Sequence, residues 1–303
     1  MRLAPIGIPV YSRLDHLRQT ISALQGNDLA SDSELYLFSD GPRPGDETKV
    51  DAVRKYMKTI KGFQNVHIIE RKENNYVFNN NEGNRMLLNK YGRMIFLEED
   101  IITAPSFLRF MNKALDFYEG DERIIAVCGY TPPIKFPRSY KKDVYLSPRF
   151  SAWGAGYWKS KYDKIITDIS VKDHENIVRS RGNLKAFTIG GPDLLAMLEK
   201  EAKGEIDAMD VKIFYTQYVR RMFTVHPVYS LTNNIGFDGT GMHCGDTDRF
   251  NVDLSRAPDK AVLDADLQLD KGILRRLSWF RGNKWRGLAY RMRQRFLVRM
   301  GAA

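Results

Sequence analysis

The stretch GRMIFLEEDIITAPSFLRF, residues 92–110, decides how this chain is read. Four apolar residues, Met94 to Leu97, run directly into Glu98, Glu99 and Asp100, and apolar residues then resume at once. The apolar run has the length of a buried strand. Three adjacent carboxylates at its end repel one another, and burying them without a partner is costly. Something positive is required at that strand end.

The surroundings show what kind of strand it is. Toward the N-terminus the spacing predicts strands over 4–12, 34–42 and 65–71, helices over 13–26, 46–62 and 79–92, and then the strand at 93–100. A helix over 104–121 and a strand over 124–130 follow, with later helices over 191–204 and 207–222. Strands alternating with helices predict an α/β fold, a mixed, mostly parallel sheet flanked by helices on both faces. Such sheets bind ligands beyond the carboxyl ends of their strands. Those ends carry Pro9-Val10-Tyr11, Ser39-Asp40-Gly41 and Glu98-Glu99-Asp100. A hard divalent cation takes oxygen ligands, and Mg2+ or Mn2+ often uses one or two carboxylates while phosphates complete its shell. The acidic triplet therefore suggests a metal–diphosphate site. The rival reading makes Asp100 the acidic start of the next helix.

The 303 residues suffice for one large α/β domain, and no apolar run is long enough to span a bilayer. The N-terminus lacks the pattern of a signal peptide. Cys128 and Cys244 form neither a disulfide framework nor a metal-type cluster and read as free thiols in a reducing cytoplasm. The net charge of +10 is concentrated at one end. Residues 271–303 hold ten basic residues and no acid, which leaves residues 1–270 formally neutral. The organisation predicted is a domain over 1–265, a linker near 256–268 and a basic amphipathic tail over 266–303.

The ordered segments IPVYSR, FSDGP, NNYVFNNNEGNRML and YGRMIFLEEDIITAPSFLRFMNKALDFY resemble glycosyltransferases of the GT-A fold. They look most similar to the bacterial relatives of the N-acetylglucosaminyltransferase I type. The similarity continues through SAWGAGYWKSKYDKI, GEIDAMDVKIFY and SLTNNIGFDGTGMHCG, and covers most of residues 3–245. The resemblance implies a metal-dependent inverting transfer of a sugar from a nucleotide-sugar donor, a UDP-sugar first, to a hydroxyl of a saccharide or lipid-linked saccharide acceptor. It implies Asp100 as the direct ligand of Mn2+ or Mg2+, with Glu98 and Glu99 lining the site. Pro9, Val10, Tyr11 and Arg13 would wall the nucleotide pocket, and Asp40 would accept a hydrogen bond from the base. Asp40 also suits a plain turn. His243, in a glycine-bearing loop, would complete the metal site. Trp153 and Gly154 would lie near the donor or acceptor sugar, since aromatic faces pack on pyranose rings and glycine admits a ligand to the backbone.

The catalytic base is an open choice. In the family a Trp neighbours this Asp; Met209 stands there instead, which leaves the register uncertain. Asp207 matches the pattern best, and Asp210 is its rival. Asp207 also suits a helix cap.

The tail interleaves its basic residues with Leu274, Leu277, Leu288, Met292 and Phe296, which can share one helical face. Such a segment suits an anionic membrane surface, here the inner face of the plasma membrane, more than nucleic acid, and no nucleic-acid partner is expected. Bacterial surface polysaccharide or glycolipid synthesis would fit. Two other readings stand beside this one. A nucleotidyltransferase would need a glycine-rich basic phosphate loop after the first strand, and IPVYSRLDHL lacks one. A non-catalytic membrane- or nucleic-acid-binding module would leave the acidic triplet without work.

Overall fold

The computed structural model of the chain describes residues 3–241 and 245–282. In chain order the strands are β1 (Ile6–Val10), β2 (Glu34–Ser39), β3 (Asn65–Glu70), β4 (Arg93–Phe96), β5 (Ile101–Thr103), β6 (Ile124–Cys128), β7 (Val144–Ser147), β8 (Ala155–Trp158), β9 (Phe223–Pro227) and β10 (Thr232–Asn234). The helices are α1 (Leu14–Gln25), α2 (Glu47–Met57), α3 (Tyr76–Tyr91), α4 (Phe107–Phe117), α5 (Lys159–Tyr162), α6 (Val171–Arg179), α7 (Arg181–Phe187), α8 (Leu194–Ala202), α9 (Met209–Arg220) and α10 (Lys271–Arg281).

Eight strands form one sheet in the order β3-β2-β1-β4-β8-β6-β9-β7. β3, β2, β1 and β4 are parallel, and so are β6 and β9, while β8 runs antiparallel between β4 and β6 and β7 runs antiparallel at the edge. This is the expected mixed, mostly parallel α/β sheet flanked by helices. Side chains alternate between its two faces as the period of two requires. Leu35 and Leu37 of β2 and Ile95 of β4 pack on one core with Leu17 and Ile21 of α1. Tyr36 and Phe38, with Met94 and Phe96, pack on the other with Leu87 of α3 and Val211 of α9.

Several elements differ from the sequence reading. Helix α3 begins at Tyr76 because the Asn75 side chain accepts the Phe78 N–H at 3.0 Å, a local N-cap that moves the start three residues forward. β5 and β10, three residues each, pair antiparallel and bring residues 232–236 against the acidic turn. The segment 256–268 is not a solvated linker. Leu267 is fully buried, Ala257, Ala261 and Leu263 pack on the first core, and the Pro258 and Asp264 carbonyls accept hydrogen bonds from Ser106 and Tyr118 at 2.8 Å. Its apolar residues are spaced irregularly, so no period announced their burial. Helix α10, capped by Asp270, turns Ile273 and Leu277 into a third cluster with Tyr145, Phe136 and Tyr140. Leu274 is buried as well, so neither Leu274 nor Leu277 is available to a membrane. Leu288, Met292 and Phe296 lie outside the described residues. Among the described residues no helix is long and apolar enough to cross a membrane.

Candidate active site

The chain leaves the sheet after Phe96, and the turn carrying Glu98, Glu99 and Asp100 sits beyond the carboxyl ends of β1, β2 and β4. Asp100 is pinned by its backbone: its carbonyl accepts the Ile235 N–H at 2.9 Å. Gly236 is forced by this approach, because a Cβ there would stand 2.0 Å from Asp100 Oδ2 and 2.9 Å from Arg13 Nη1.

The positive partner demanded by the sequence is, in the first instance, Arg13. Its Nε donates to Glu99 Oε1 at 2.8 Å and its Nη2 to Asp100 Oδ2 at 2.7 Å. Glu99 Oε2 also accepts the Tyr11 N–H at 2.7 Å. Burial disfavours the Arg13 cation, but Asp100 and Glu99 outweigh that cost and hold its pKa above the ordinary arginine range. Burial raises the Glu99 pKa against the pull of the Tyr11 N–H and Arg13. For Glu98, burial, then Asp100 and Asp210, push the pKa well above the carboxylate range.

One cation does not balance this group. Glu98, Glu99 and Asp100 bring three acids to one Arg13, and Asp210 adds its charge to Glu98. Among the described residues, Asp100 Oδ1 is buried with no hydrogen-bond partner, and so is Arg13 Nη1. An orphaned carboxylate oxygen beside further acids is the donor set a hard divalent ion takes. Among the described residues no three His, Cys, Asp or Glu side chains gather as a ready ligand set. Such an ion would therefore rest on Asp100 and draw its other oxygens from a bound ligand, the mode usual for Mg2+. His243 lies outside the described residues.

A cleft of about 450 Å3 opens over this turn. Its lining includes Pro9, Val10, Tyr11, Arg13, Asp40, Glu98, Glu99, Asp100 and Trp153, nine of the residues singled out in the sequence. Asp40 is buried, and its carboxylate is largely committed. Oδ1 accepts the Gly41 and Asn75 N–H groups at 2.9 and 3.0 Å, and Oδ2 accepts Asn74 Nδ2 at 3.0 Å. A carboxylate offers about four lone-pair positions, so one remains for a ligand N–H. The Tyr11 hydroxyl donates to Asp46 Oδ2 at 2.8 Å and accepts the Arg43 N–H at 3.0 Å, which fixes its ring at the cleft wall. Trp153 packs edge-to-face on Tyr130, Phe237 and Phe250, with ring centroids 4.5, 5.4 and 5.7 Å away. Gly154 does not face the cleft: it is packed against Phe107 and Thr232, and its role is to let β8 enter the sheet there.

The two candidate bases part company. Asp207 precedes α9 and is half exposed. It pairs with Lys212, which also bridges Glu201 at 3.3 Å. It is not the cap of α9, whose N-cap position is Ala208 without a side-chain bond. Asp210, in the first turn of α9, points inward. Burial raises its pKa to about 6, against the opposing pull of Arg149 and Arg281. It bears on Glu98, on Tyr76 and on the buried Cys128 and Tyr157. Asp207 is therefore not brought to the acidic turn, and Asp210 is.

Tyr76 was not foreseen as a site residue. It lies on the first turn of α3 and lines the cleft, and burial, then Glu98, Asp210 and Asp100, push its hydroxyl pKa up. Asn74, Asn79, Lys49 and Asn234 also line the cleft and were not foreseen. The run NNY at 74–76 was the available signal: an Asn cap places whatever follows it at a helix start beside the sheet edge.

No family model and no curated protein matches the chain. Among solved structures it is similar to TarS of S. aureus, at 11% identity over 58% of this chain and 33% of that one, with a TM-score of 0.39. It is similar to residues 1–349 of TarS in complex with UDP-GlcNAc, at 15% identity over 55% of this chain and 48% of that one, TM-score 0.37. It is also similar to the mannosyltransferase PcManGT from Pyrobaculum calidifontis in complex with GDP-Man and Mn2+, at 12% identity over 71% of this chain and 69% of that one, TM-score 0.42. The chain thus spans 33% of the length of the full TarS chain. Likenesses this distant assign no ligand and no chemistry to the cleft, which has to be read from its own residues.

Proposed function

We propose that the chain is a glycosyltransferase of the GT-A type, related to the N-acetylglucosaminyltransferase I group, that moves a sugar from a nucleotide-sugar donor to a saccharide hydroxyl with inversion. The observation that carries this reading is the buried, unpartnered Asp100 Oδ1, set beside Glu98 and Glu99 in the wall of a cleft at the strand ends.

In this reading the base of the nucleotide lies between Tyr11 and the Asp40–Asn74 pair, where Asp40 Oδ2 has an acceptor position left. The diphosphate lies toward Asp100. A divalent ion held by Asp100 would neutralise charge building up on the leaving diphosphate. Arg13 holds Glu99 and Asp100 in one orientation and takes Asp100 Oδ2, which leaves Oδ1 for the ion. Trp153 supplies an apolar face for a sugar ring. Asp210 takes the proton from the attacking acceptor hydroxyl at Oδ. Its pKa of about 6 leaves it ionised at neutral pH and still a competent base.

Calorimetric titration with UDP and GDP, with and without Mn2+, tests the reading. In the native chain Mn2+ tightens nucleotide binding at least about tenfold, and Asp100→Asn removes that gain. Gly236→Ala, which forces the Asp100 carboxylate aside, loses roughly a hundredfold in sugar-nucleotide turnover with the fold retained by circular dichroism. Nucleotide affinity that ignores both the metal and Asp100 removes the centre of the proposal. A hydrolysis screen over sugar nucleotides then identifies the donor.

We also place the enzyme at the cytoplasmic face of an anionic membrane, with a lipid-linked or polysaccharide acceptor. The outward face of α10 carries Lys271, Arg275 and the 80% exposed Trp279, and six more basic residues follow Gly282 without an acid. The chain should sediment with vesicles containing phosphatidylglycerol and not with phosphatidylcholine alone. Equal behaviour with both would overturn the placement.

A further inference from the structure

On the far side of the aromatic wall that begins with Trp153, three guanidinium groups gather. Arg149, two residues beyond β7, makes a bidentate pair with Asp193, at 2.9 and 2.8 Å, and lies 5.3 Å over the Phe214 ring. Arg281, the last residue of α10, and Arg249 both lie over the Phe250 and Phe280 rings, at 5.8 and 5.8 Å for Arg281 and 5.6 and 5.1 Å for Arg249. Phe250 itself packs on Trp153.

The loop beneath is built closely around two of these arginines. Gly191 has φ of 150°, and a Cβ there would meet Asp193 Oδ1 at 2.4 Å, Arg149 Nη1 at 2.7 Å and Arg281 Cβ at 3.2 Å. Among the described residues Arg281 Nε is buried and has no hydrogen-bond partner. Burial and the neighbouring Arg149 cation bring the Arg281 pKa down to about 10, which records how poorly the group is compensated. Asp193 is already spent on Arg149. Asp210 is near enough that both Arg149 and Arg281 draw it toward ionisation.

A buried cation with an unmade hydrogen bond beside a second cation is costly alone and favourable around an anion. The planar fork of arginine matches phosphate oxygens in particular. We infer that Arg281 and Arg149, backed by Arg249, form a subsite for a phosphate group on the acceptor, next to the hydroxyl that Asp210 deprotonates. This rests on the reading of Asp210 as the base. It adds the substrate class: a phosphorylated acceptor, not a neutral sugar. It also gives α10 a place in the site, because Arg281 comes from the helix that opens the basic tail.

The test uses the full chain and simple probes, so that it does not depend on transfer. Glycerol 3-phosphate and glycerol are titrated by calorimetry against the native chain, Arg281→Gln, Asp210→Asn and Asp100→Asn. Glycerol 3-phosphate should bind and glycerol should not. Arg281→Gln should weaken binding at least about tenfold with its circular dichroism unchanged. Asp210→Asn, which removes a neighbouring negative charge, should tighten it, and Asp100→Asn should leave it as it is. Phosphate binding that Arg281→Gln does not touch overturns the subsite, as does binding that responds to Asp100→Asn alone and so belongs to the nucleotide cleft. If the chain binds glycerol 3-phosphate through Arg281 yet turns over no sugar nucleotide, the subsite stands and the transferase reading falls.

Discussion

With Asp210 as the base of the proposed transferase, Asp210→Asn should cut sugar transfer steeply and at the same time make the protein more stable. A positioned general base contributes about two to four orders of magnitude in rate, so kcat should fall by roughly 10²- to 10⁴-fold. In the native enzyme log kcat should rise with pH through about 6, where Asp210 ionises, and level off above it. The variant should lack that acidic limb.

The stability effect has the opposite sign. The folded pKa of Asp210 is raised from the ordinary 3.8 to about 6, so folding favours its protonated form. The stability this contributes is fully present below about pH 4 and is lost as pH rises through about 6. A shift of this size corresponds to about 3 kcal/mol, as an order of magnitude. Asparagine keeps the neutral shape at every pH. The variant should therefore melt several degrees higher than the native chain at pH 8, roughly 5 °C, and lose the advantage at pH 4. Asp207→Asn is the control: it loses a half-exposed partner of Lys212, which keeps Glu201, and should change activity and melting only slightly. An inactive Asp207→Asn together with an active Asp210→Asn would reverse the assignment.

These two aspartates also show where a sequence stops being readable. They stand three residues apart, in a segment whose helical start fixes which one faces the sheet. That start is set at Ala208–Met209 by the packing of α9 on the second core, and Asp207 is left outside the helix. Neither residue's neighbours state this. The long alternation of β1, β2 and β4 with α1 and α2 was legible, because each strand is a continuous apolar run between turn residues and each helix repeats at 3.6. The short strands β5, β7, β8 and β10 were not. Three- and four-residue strands carry too little pattern, and they exist through partners far along the chain, from Phe96 against Ala155 to Ile101 against Asn234. The convergence of Tyr11, Asp40 and Glu98–Asp100 on one cleft followed from strand ends alone. Tyr76 was hidden by a cap, and the Arg149–Arg281 pair by the distance in sequence between its members.

Arg13→Ala should be the most destabilising single change at the site. The sequence posed a problem in charge: three carboxylates at the end of a buried strand. Two of the three are answered by this one guanidinium, with side chains of Glu99 and Asp100 exposed by only 9% and 7%. Removing one partner of a buried ion pair leaves an uncompensated charge and costs about 3–5 kcal/mol. Arg13→Lys should recover little, since an ammonium does not reproduce the fork that spans Glu99 Oε1 and Asp100 Oδ2. The loss should depend on pH in a definite direction. Without Arg13 the folded pKa values of Glu99 and Glu98 move further up, so the variant should be least stable at pH 8 and should approach the native chain as pH falls below 5. The same reasoning separates the two positive partners of the triplet. If Asp100 Oδ1 is the seat of a divalent ion, Mn2+ should raise the melting temperature of Arg13→Ala at pH 8 more than that of the native chain, because the ion then offsets a larger unpaired charge. It should do nothing for a double variant that also carries Asp100→Asn. Melting curves of the three proteins with and without Mn2+ decide it. If Mn2+ leaves all three curves where they were, Arg13 is the whole answer to the charge of the triplet, and the cleft is not a metal site.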